Sequence, residues 1–344
     1  MIFVTGGTGL VGSHLLFNLV SKGFKVRALK RKNSNPERVK KLFSWYSAES
    51  EELFRKIEWV EGDLLDVDSL ESCLEGVEII YHCAAVVSFE SRKRAEMIRN
   101  NVEGTANLVN AALARGVGRI CHVSSNSALG KAPDGAMVTE ETNWTSSPKP
   151  SGYSESKFFS EMEIWRGVEE GLEAVVVNPS IIVGPGNWKN SSARFFPAIY
   201  GGLRFYTCGI TGFVDVRDVI DAILLLTRED IFPRSKNRKF LLNGENMEYR
   251  LFCNLIADEL HVARPSIRAS RWMREVAWRT DALFSLLTGK PAVITRETVL
   301  SSARKILYDG SKISRMFGFA YRPVSEAVQH TAVCFLKDMA QNQL

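Results

Sequence analysis

Tyr153 and Lys157 stand four residues apart in Tyr153-Ser154-Glu155-Ser156-Lys157. At that spacing on a helix, a phenol and an ammonium share one face. A free phenol titrates at about pH 10, too high to exchange protons readily at neutral pH. A neighbouring cation stabilises the phenolate and is expected to lower that value. The pair is then suited to general-acid work, giving a proton to a carbonyl oxygen as hydride reaches the carbon. A further hydroxyl comes from Cys121-His122-Val123-Ser124-Ser125-Asn126, which runs off the end of a strand candidate. A serine there can hold a substrate oxygen against Tyr153. Ser125 is the first choice and Ser124 the second; simple loop capping is the alternative for both. Many surface helices carry Y-x-x-x-K by chance, so its weight depends on what the rest of the chain supplies.

The first 31 residues supply it. Ile2-Phe3-Val4 reads as a strand, Thr5-Gly6-Gly7-Thr8-Gly9-Leu10-Val11-Gly12 as a glycine-rich turn, and residues 10–22 as an amphipathic helix. Lys25-Val26-Arg27-Ala28-Leu29 closes a βαβ unit. A side chain in that turn would hold the backbone away from a pyrophosphate, and the following helix aims free N–H groups at phosphate charge. Gly6, Thr8, Gly9, Leu10, Val11 and Gly12 are therefore expected to bind a dinucleotide. Sites for NAD usually end the second strand with an acid that bonds the ribose 2′-hydroxyl. Here Lys30-Arg31-Lys32 stands there, followed by Arg38 and Lys40. A guanidinium fits a 2′-phosphate with paired hydrogen bonds, whereas a carboxylate would repel it. NADP(H) is the expected cofactor, with Arg31 and Arg38 on the phosphate, and NAD(H) is the second possibility. A solvated basic stretch is the alternative reading of these cations.

At 344 residues the chain can bury a large core, as one two-lobed unit or two packed domains. A net charge of +5 over this length forms no basic block or tail, so nucleic acid is not implied. The six cysteines form no C-x-x-C pair, and the five histidines have no metal-ligand spacing; neither disulfides nor a structural metal is expected. Ile2 already begins a strand, which leaves no room for a signal peptide, and no apolar run reaches the roughly eighteen residues of a membrane span. A cytoplasmic protein is the expectation.

Strand and helix patterns alternate through residue 178. Strand candidates at 57–60, 77–82, 119–123 and 174–178 are separated by helical patterns near 36–54, 67–74, 90–115 and 154–170. This alternation predicts an α/β fold: a doubly wound, Rossmann-type parallel sheet with helices on both faces. Residues 184–213 are rich in Gly, Pro and aromatics, as loops around a pocket would be. Phe213–Val216 reads as a strand, Asp218 as the cap of a helix at 219–227, and 240–242 as a further strand. From about 244 the pattern is mostly helical. The expected division is 1–183 plus about 213–243 for the dinucleotide domain, and 184–212 plus 244–344 for a smaller substrate lobe.

Taken together, T-G-x-x-G-x-x-G at 5–12, the strand-end serine and Y-x-x-x-K resemble the short-chain dehydrogenases/reductases. Gly62-Asp63-Leu64, His82-Cys83-Ala84-Ala85, Asn101-Val102-Glu103-Gly104-Thr105 and Asn178-Pro179-Ser180-Ile181-Ile182-Val183-Gly184-Pro185 make the likeness one to the extended branch. It covers nearly the whole chain, reaching weakly to Asp309-Gly310-Ser311-Lys312 and Phe317-Gly318-Phe319. The resemblance implies that Asp63 bonds the adenine amine with Leu64 beside the ring, and that Ala84 and Ala85 line the cofactor ribose. It further implies that Asn101 shapes the helix near the active site, that Pro179–Ile182 pack beside the nicotinamide, and that Lys157 also anchors the ribose. A homodimer through the helices near 90–115 and 154–170 follows by the same analogy.

Within that branch, dehydratases carry Asp-Glu after the strand-end hydroxyl, where this chain has Asn126-Ser127. Sugar-nucleotide enzymes tend to place an arginine just before F-x-x-V-x-D-V; none lies between Phe205 and Phe213, although Arg204, Arg217 or Arg268 could serve. The basic second-strand end resembles the NADP-using dihydroflavonol reductase group. The expected activity is thus reduction of a ketone or aldehyde, or the reverse alcohol oxidation. Sugar-nucleotide epimerisation, sterol or 3β-hydroxysteroid oxidation, and a cofactor-sensing scaffold are the alternatives. Phe195, Phe196, Tyr200, Phe205, Tyr206 and Phe213 either line an apolar site or pack the lobe. Trp272, Met273, Val276, Ala277, Leu283, Phe284 and Leu287 share one helical face amid several arginines. Packing on the protein's own lobe is the expectation for that face, with contact to a membrane surface the lesser reading.

Overall fold

The computed structural model describes residues 1–133, 135–144, 151–288 and 295–341, with only the backbone described for 282–288. Its strands run in chain order as β1 (Ile2–Thr5), β2 (Val26–Lys30), β3 (Ile57–Glu61), β4 (Ile79–His82), β5 (Arg119–Val123), β6 (Glu173–Pro179), β7 (Ile181–Val183), β8 (Phe205–Tyr206), β9 (Ile210–Asp215), β10 (Arg238–Leu242), β11 (Glu245–Glu248) and β12 (Ile267–Arg268). Seven of them form one parallel sheet in the order β10-β6-β5-β4-β1-β2-β3. This is the doubly wound sheet expected from the alternation. Successive residues point to opposite faces, so each central strand feeds two cores. Ile120, Ala174 and Val176 join Leu108, Val109 and Ile164 on one face. Cys121, Val175 and Val177 join Leu15, Leu16, Ile220 and Ile223 on the other. Burial on both faces is why residues 174–177 are apolar without alternation.

Strand order reverses between β1 and β4. Ligands bind beyond the carboxyl ends of strands at such a switch point. Beside it β7, β9 and β11 make a small sheet, with β9 central, over a second core of Phe196, Phe213, Phe252 and Phe335. β8 and β12 form a two-stranded ribbon.

Three local expectations need correction. The pattern at 36–54 is two helices, Glu37–Tyr46 and Ser50–Arg55, broken at the extended Ser47. The chain folds back there so that Phe54 packs edge-on against Phe43; a continuous helix would carry it about 16 Å further along the axis. The 90–115 stretch is helical but contains a π-helical turn, Ile98–Glu103. Asp218 is not a cap. The helix Val216–Leu226 begins earlier, with the Asp215 carboxylate accepting from Arg217 N–H. Asp218 lies buried in the first turn and receives the backbone N–H and guanidinium of Arg322. All six cysteines are free. Among the described residues no helix is long and apolar enough to cross a membrane.

Candidate active site

A cavity of about 2800 Å³ runs along the carboxyl ends of the parallel strands and out under the second lobe. Its floor is the glycine turn. Gly6 sits at φ +69°, and a Cβ there would lie 2.5 Å from the backbone N of Ala84, just beyond β4. The turn is closed by Gly9 N–H donating to Gly6 O at 2.9 Å. The helix Leu10–Ser21 starts at Gly9 with no side chain capping it. Its first N–H groups are therefore left for an external acceptor. Gly6, Thr8, Gly9, Leu10 and Val11 line the cavity. Gly12 does not, contrary to expectation. A Cβ on Gly12 would stand 2.2 Å from Gly6 O, so this glycine lets the helix close against the turn rather than touching a ligand.

Arg31, Ser34 and Arg38 line the far end, beyond β2, with Asp63 and Leu64 beside them. Asp63 also accepts the N–H of Leu65 at 3.0 Å. Among the described residues neither Arg31 nor Arg38 has a carboxylate within ion-pair distance, whereas Lys40 pairs with Glu51. Ala84, Ala85, Pro179 and Ile182 line the middle of the cavity.

Tyr153 is the second residue of the helix Gly152–Glu169, whose N-cap Ser151 accepts Ser154 N–H. Its hydroxyl hydrogen-bonds those of Ser125 and Ser127, and Phe89 packs edge-on against its ring at 5.6 Å. Burial pushes the Tyr153 phenol upward, with the two serine hydroxyls pulling the other way. The expected lowering by Lys157 is absent, because that ammonium is turned to Val123 O at 2.9 Å. A phenol held protonated is still the right form for donating a proton to a carbonyl.

The structure distinguishes the two serines. Ser124 Oγ donates to buried Glu161 at 3.0 Å. Both residues line the cavity, but Ser125 Oγ is the one beside the Tyr153 hydroxyl, accepting Ser127 Oγ–H at 2.9 Å and Ser127 N–H at 3.2 Å and donating to Asn126 Oδ1 at 3.3 Å. Asn101, in the π-turn, holds Val86 by both its N–H and its C=O and donates to Ser156 at 3.0 Å. The extra residue of a π-turn re-aims a side chain in this way, tying the loop after β4 to the tyrosine helix.

Two groups escaped the sequence reading. Ser127 completes a set of three hydroxyls; its only signal was standing two residues after Ser125. Glu161 stands four residues after Lys157, and it also accepts from Asn178 at 2.9 Å and Trp165 at 3.3 Å. Burial lowers the Lys157 ammonium to about 8, opposed chiefly by the Glu161 charge.

The aromatic residues divide. Phe195, Phe205 and Tyr206 line the cavity, while Phe196 and Phe213 are core. Trp272, Met273, Val276 and Ala277 also line it, and Trp272 is 68% exposed at its lip. The side chains of Leu283, Phe284 and Leu287 lie outside those described. Arg204, Arg217 and Arg268 do not reach the cavity; Arg217 is tied to Asp215.

A glycine turn at the switch point, with Tyr153, Lys157 and Ser125 lining the same cavity, can hold a dinucleotide beside a proton donor. The sequence profile described as "NAD dependent epimerase/dehydratase family" matches residues 2–236. The chain belongs to that family, within the extended short-chain dehydrogenases/reductases, and is an NAD(P)-dependent oxidoreductase. It is 29% identical over 332 residues to a putative dihydroflavonol 4-reductase of Synechocystis sp., covering 95% of this chain and 92% of that protein. It is 34% identical over 247 residues to sterol demethylase protein B of Methylococcus capsulatus, covering 71% and 69%. The crystal structure of gox2253 superposes with a TM-score of 0.79 at 30% identity, covering 100% of this chain and 99% of that one.

Proposed function

We propose that this protein is an NADPH-dependent carbonyl reductase acting on a ketone or aldehyde. The observation that carries the reading is the pair of guanidiniums at the end of β2, Arg31 and Arg38, which have no partner among the described residues. They fit a 2′-phosphate, and the glycine cradle fits the pyrophosphate. When bound, the cofactor supplies the hydride. The chain's own residues do the rest. Tyr153 gives its proton to the carbonyl oxygen. Ser125, whose lone pairs are occupied by Ser127, turns its hydrogen from Asn126 Oδ1 to the same oxygen. Lys157 anchors the ribose and, once its ammonium turns from Val123 O toward the site, supplies positive charge behind the phenol as it becomes phenolate. Asp63, Leu64, Ala84, Ala85, Pro179 and Ile182 shape the cofactor's bed.

Calorimetric titration of the purified protein with NADPH and NADH tests the cofactor. Affinity for NADPH is expected to exceed that for NADH by about a hundredfold, the scale of two charge-assisted contacts. Arg31→Ala with Arg38→Ala should erase most of that gap. Equal affinities in the wild type would overturn the reading and favour epimerisation with a retained NAD.

The pH dependence tests Lys157. It is cationic below its value of about 8 and neutral above. Turnover should therefore fall as pH rises through about 8. Glu161→Gln removes the charge that helps keep Lys157 protonated, so the falling limb should move to lower pH. A limb unmoved in that variant would show that another group titrates there.

A further inference from the structure

Cations line the substrate end of the cavity in excess. Arg194, Arg274, Arg296, Arg304 and Lys305 reach it, and Glu297 is the one acid that does so among the described residues after 190. Arg296 lies within electrostatic reach of Glu275, and Arg304 within reach of Glu297. Among the described residues Arg194 and Arg274 have no such company. Among the described residues neither guanidinium makes an ion pair or a hydrogen bond. Arg274 is only partly exposed, and its Nε is shut away from solvent with no acceptor. An arginine without a partner on an open surface is ordinary, because water serves it. A guanidinium N–H removed from water and left without an acceptor is costly. Concave walls also concentrate the field of like charges.

The remaining wall is apolar: Phe195, Phe205, Met273 and Val299 lie on the same cavity. Arg194 ends the turn Ser191–Arg194 just before Phe195, and Arg274 is one residue beyond Met273, so each cation adjoins an apolar wall residue.

We propose that Arg274 and Arg194 bind an anionic oxygen group, a carboxylate or a phosphate, carried by a carbonyl substrate with an apolar body. The proposal rests on the carbonyl-reductase reading and adds to it the class of substrate. The anion sets orientation, leaving the carbonyl end to meet Tyr153 and Ser125. Guanidinium planarity favours a carboxylate or phosphate over a neutral polar group.

The test uses the full chain loaded with NADPH and three forms of one biaryl aldehyde: the carboxylate, its methyl ester, and a phosphate monoester. The expected result is a kcat/KM for an anionic form at least about tenfold above the ester, equivalent to about 1.4 kcal/mol. Arg274→Gln and Arg194→Gln should collapse that ratio toward one, with Arg274→Lys in between because it keeps charge but loses the fork. Which anionic form is preferred separates carboxylate from phosphate. Equal kcat/KM for ester and anions in the wild type, or variants that lower both alike, would overturn the proposal and leave the reductase reading standing. Calorimetry on the same samples separates the two failures. Tight binding of the anionic forms, weakened by Arg274→Gln, with no reduction would keep the anion site and defeat the reductase reading. Absence of binding by the anionic forms would defeat the site.

Discussion

Tyr153→Phe is expected to lower kcat by about a thousandfold, within the range for loss of a positioned general acid, with NADPH affinity changed little. The substitution removes one oxygen and keeps the ring, so the edge contact with Phe89 survives. Ser125 and Ser127 lose a shared partner but keep their own 2.9 Å hydrogen bond. The helix start is untouched, since Ser151 caps it through Ser154. Single-turnover reduction followed by cofactor absorbance measures the chemical step, and calorimetry measures NADPH binding. Turnover within about tenfold of wild type would show that another group delivers the proton. Ser125→Ala should cost less, about a hundredfold, because it removes one hydrogen bond to the oxygen rather than the proton source.

Gly12→Ala is expected to weaken NADPH binding by about a hundredfold or more, the cost of misplacing two charge-assisted backbone contacts. The reason is steric. The new Cβ would meet Gly6 O at 2.2 Å and Gly7 Cα at 2.9 Å, both backbone atoms that no rotamer change can move. Relief requires Gly6 O to shift, which breaks its bond from Gly9 N–H. Gly6 itself is hemmed in by Ala84 and Cys83, so the disturbance passes to the end of β4. Overpacking of this kind also costs about 1–3 kcal/mol of stability. Gly118→Ala is the matched control, since nothing lies within 4 Å of a Cβ there. Thermal melts of both variants with and without NADPH separate a folding defect from a binding defect. Wild-type NADPH affinity in the Gly12 variant would show that the helix can slide away from the turn without loss of the site.

Gly12 also shows where sequence reading and structure part. The glycine spacing pointed to the right turn, but assigned Gly12 to the ligand, whereas its neighbour is the turn's own carbonyl. A motif states that space is needed, and only packing says what fills it. Ser124 and Ser125 make the same point. Both leave β5 at the carboxyl end, and adjacent residues on a strand point to opposite sides. Ser124 turns its hydroxyl to Glu161 and Ser125 turns its own to Tyr153. Asp218 looked like a helix cap by local chemistry; Arg322, 104 residues away in sequence, claims it instead. The π-turn at 98–103 has no local periodicity of its own to announce it, because one inserted residue barely disturbs a helical pattern.

What the sequence by itself determined is what short-range geometry controls. Short apolar runs and period-3.6 patterns between them place the parallel strands and their helices. The glycines place a tight turn after β1, because a Cβ at Gly6 or Gly12 would collide with backbone. Tyr153 and Lys157 share a helix face because four residues make about one turn. The tertiary structure decided everything that depends on residues far apart in the chain. It turned Lys157 toward Val123 and left the Tyr153 phenol raised by burial. It sorted Phe195 and Phe205 to the cavity and Phe196 and Phe213 to the core. It kept Arg204, Arg217 and Arg268 out of the site and brought Arg194 and Arg274 in. Burial, electrostatic environment and the company a charge keeps are properties of the packed chain, fixed only when segments distant in sequence close around the same space.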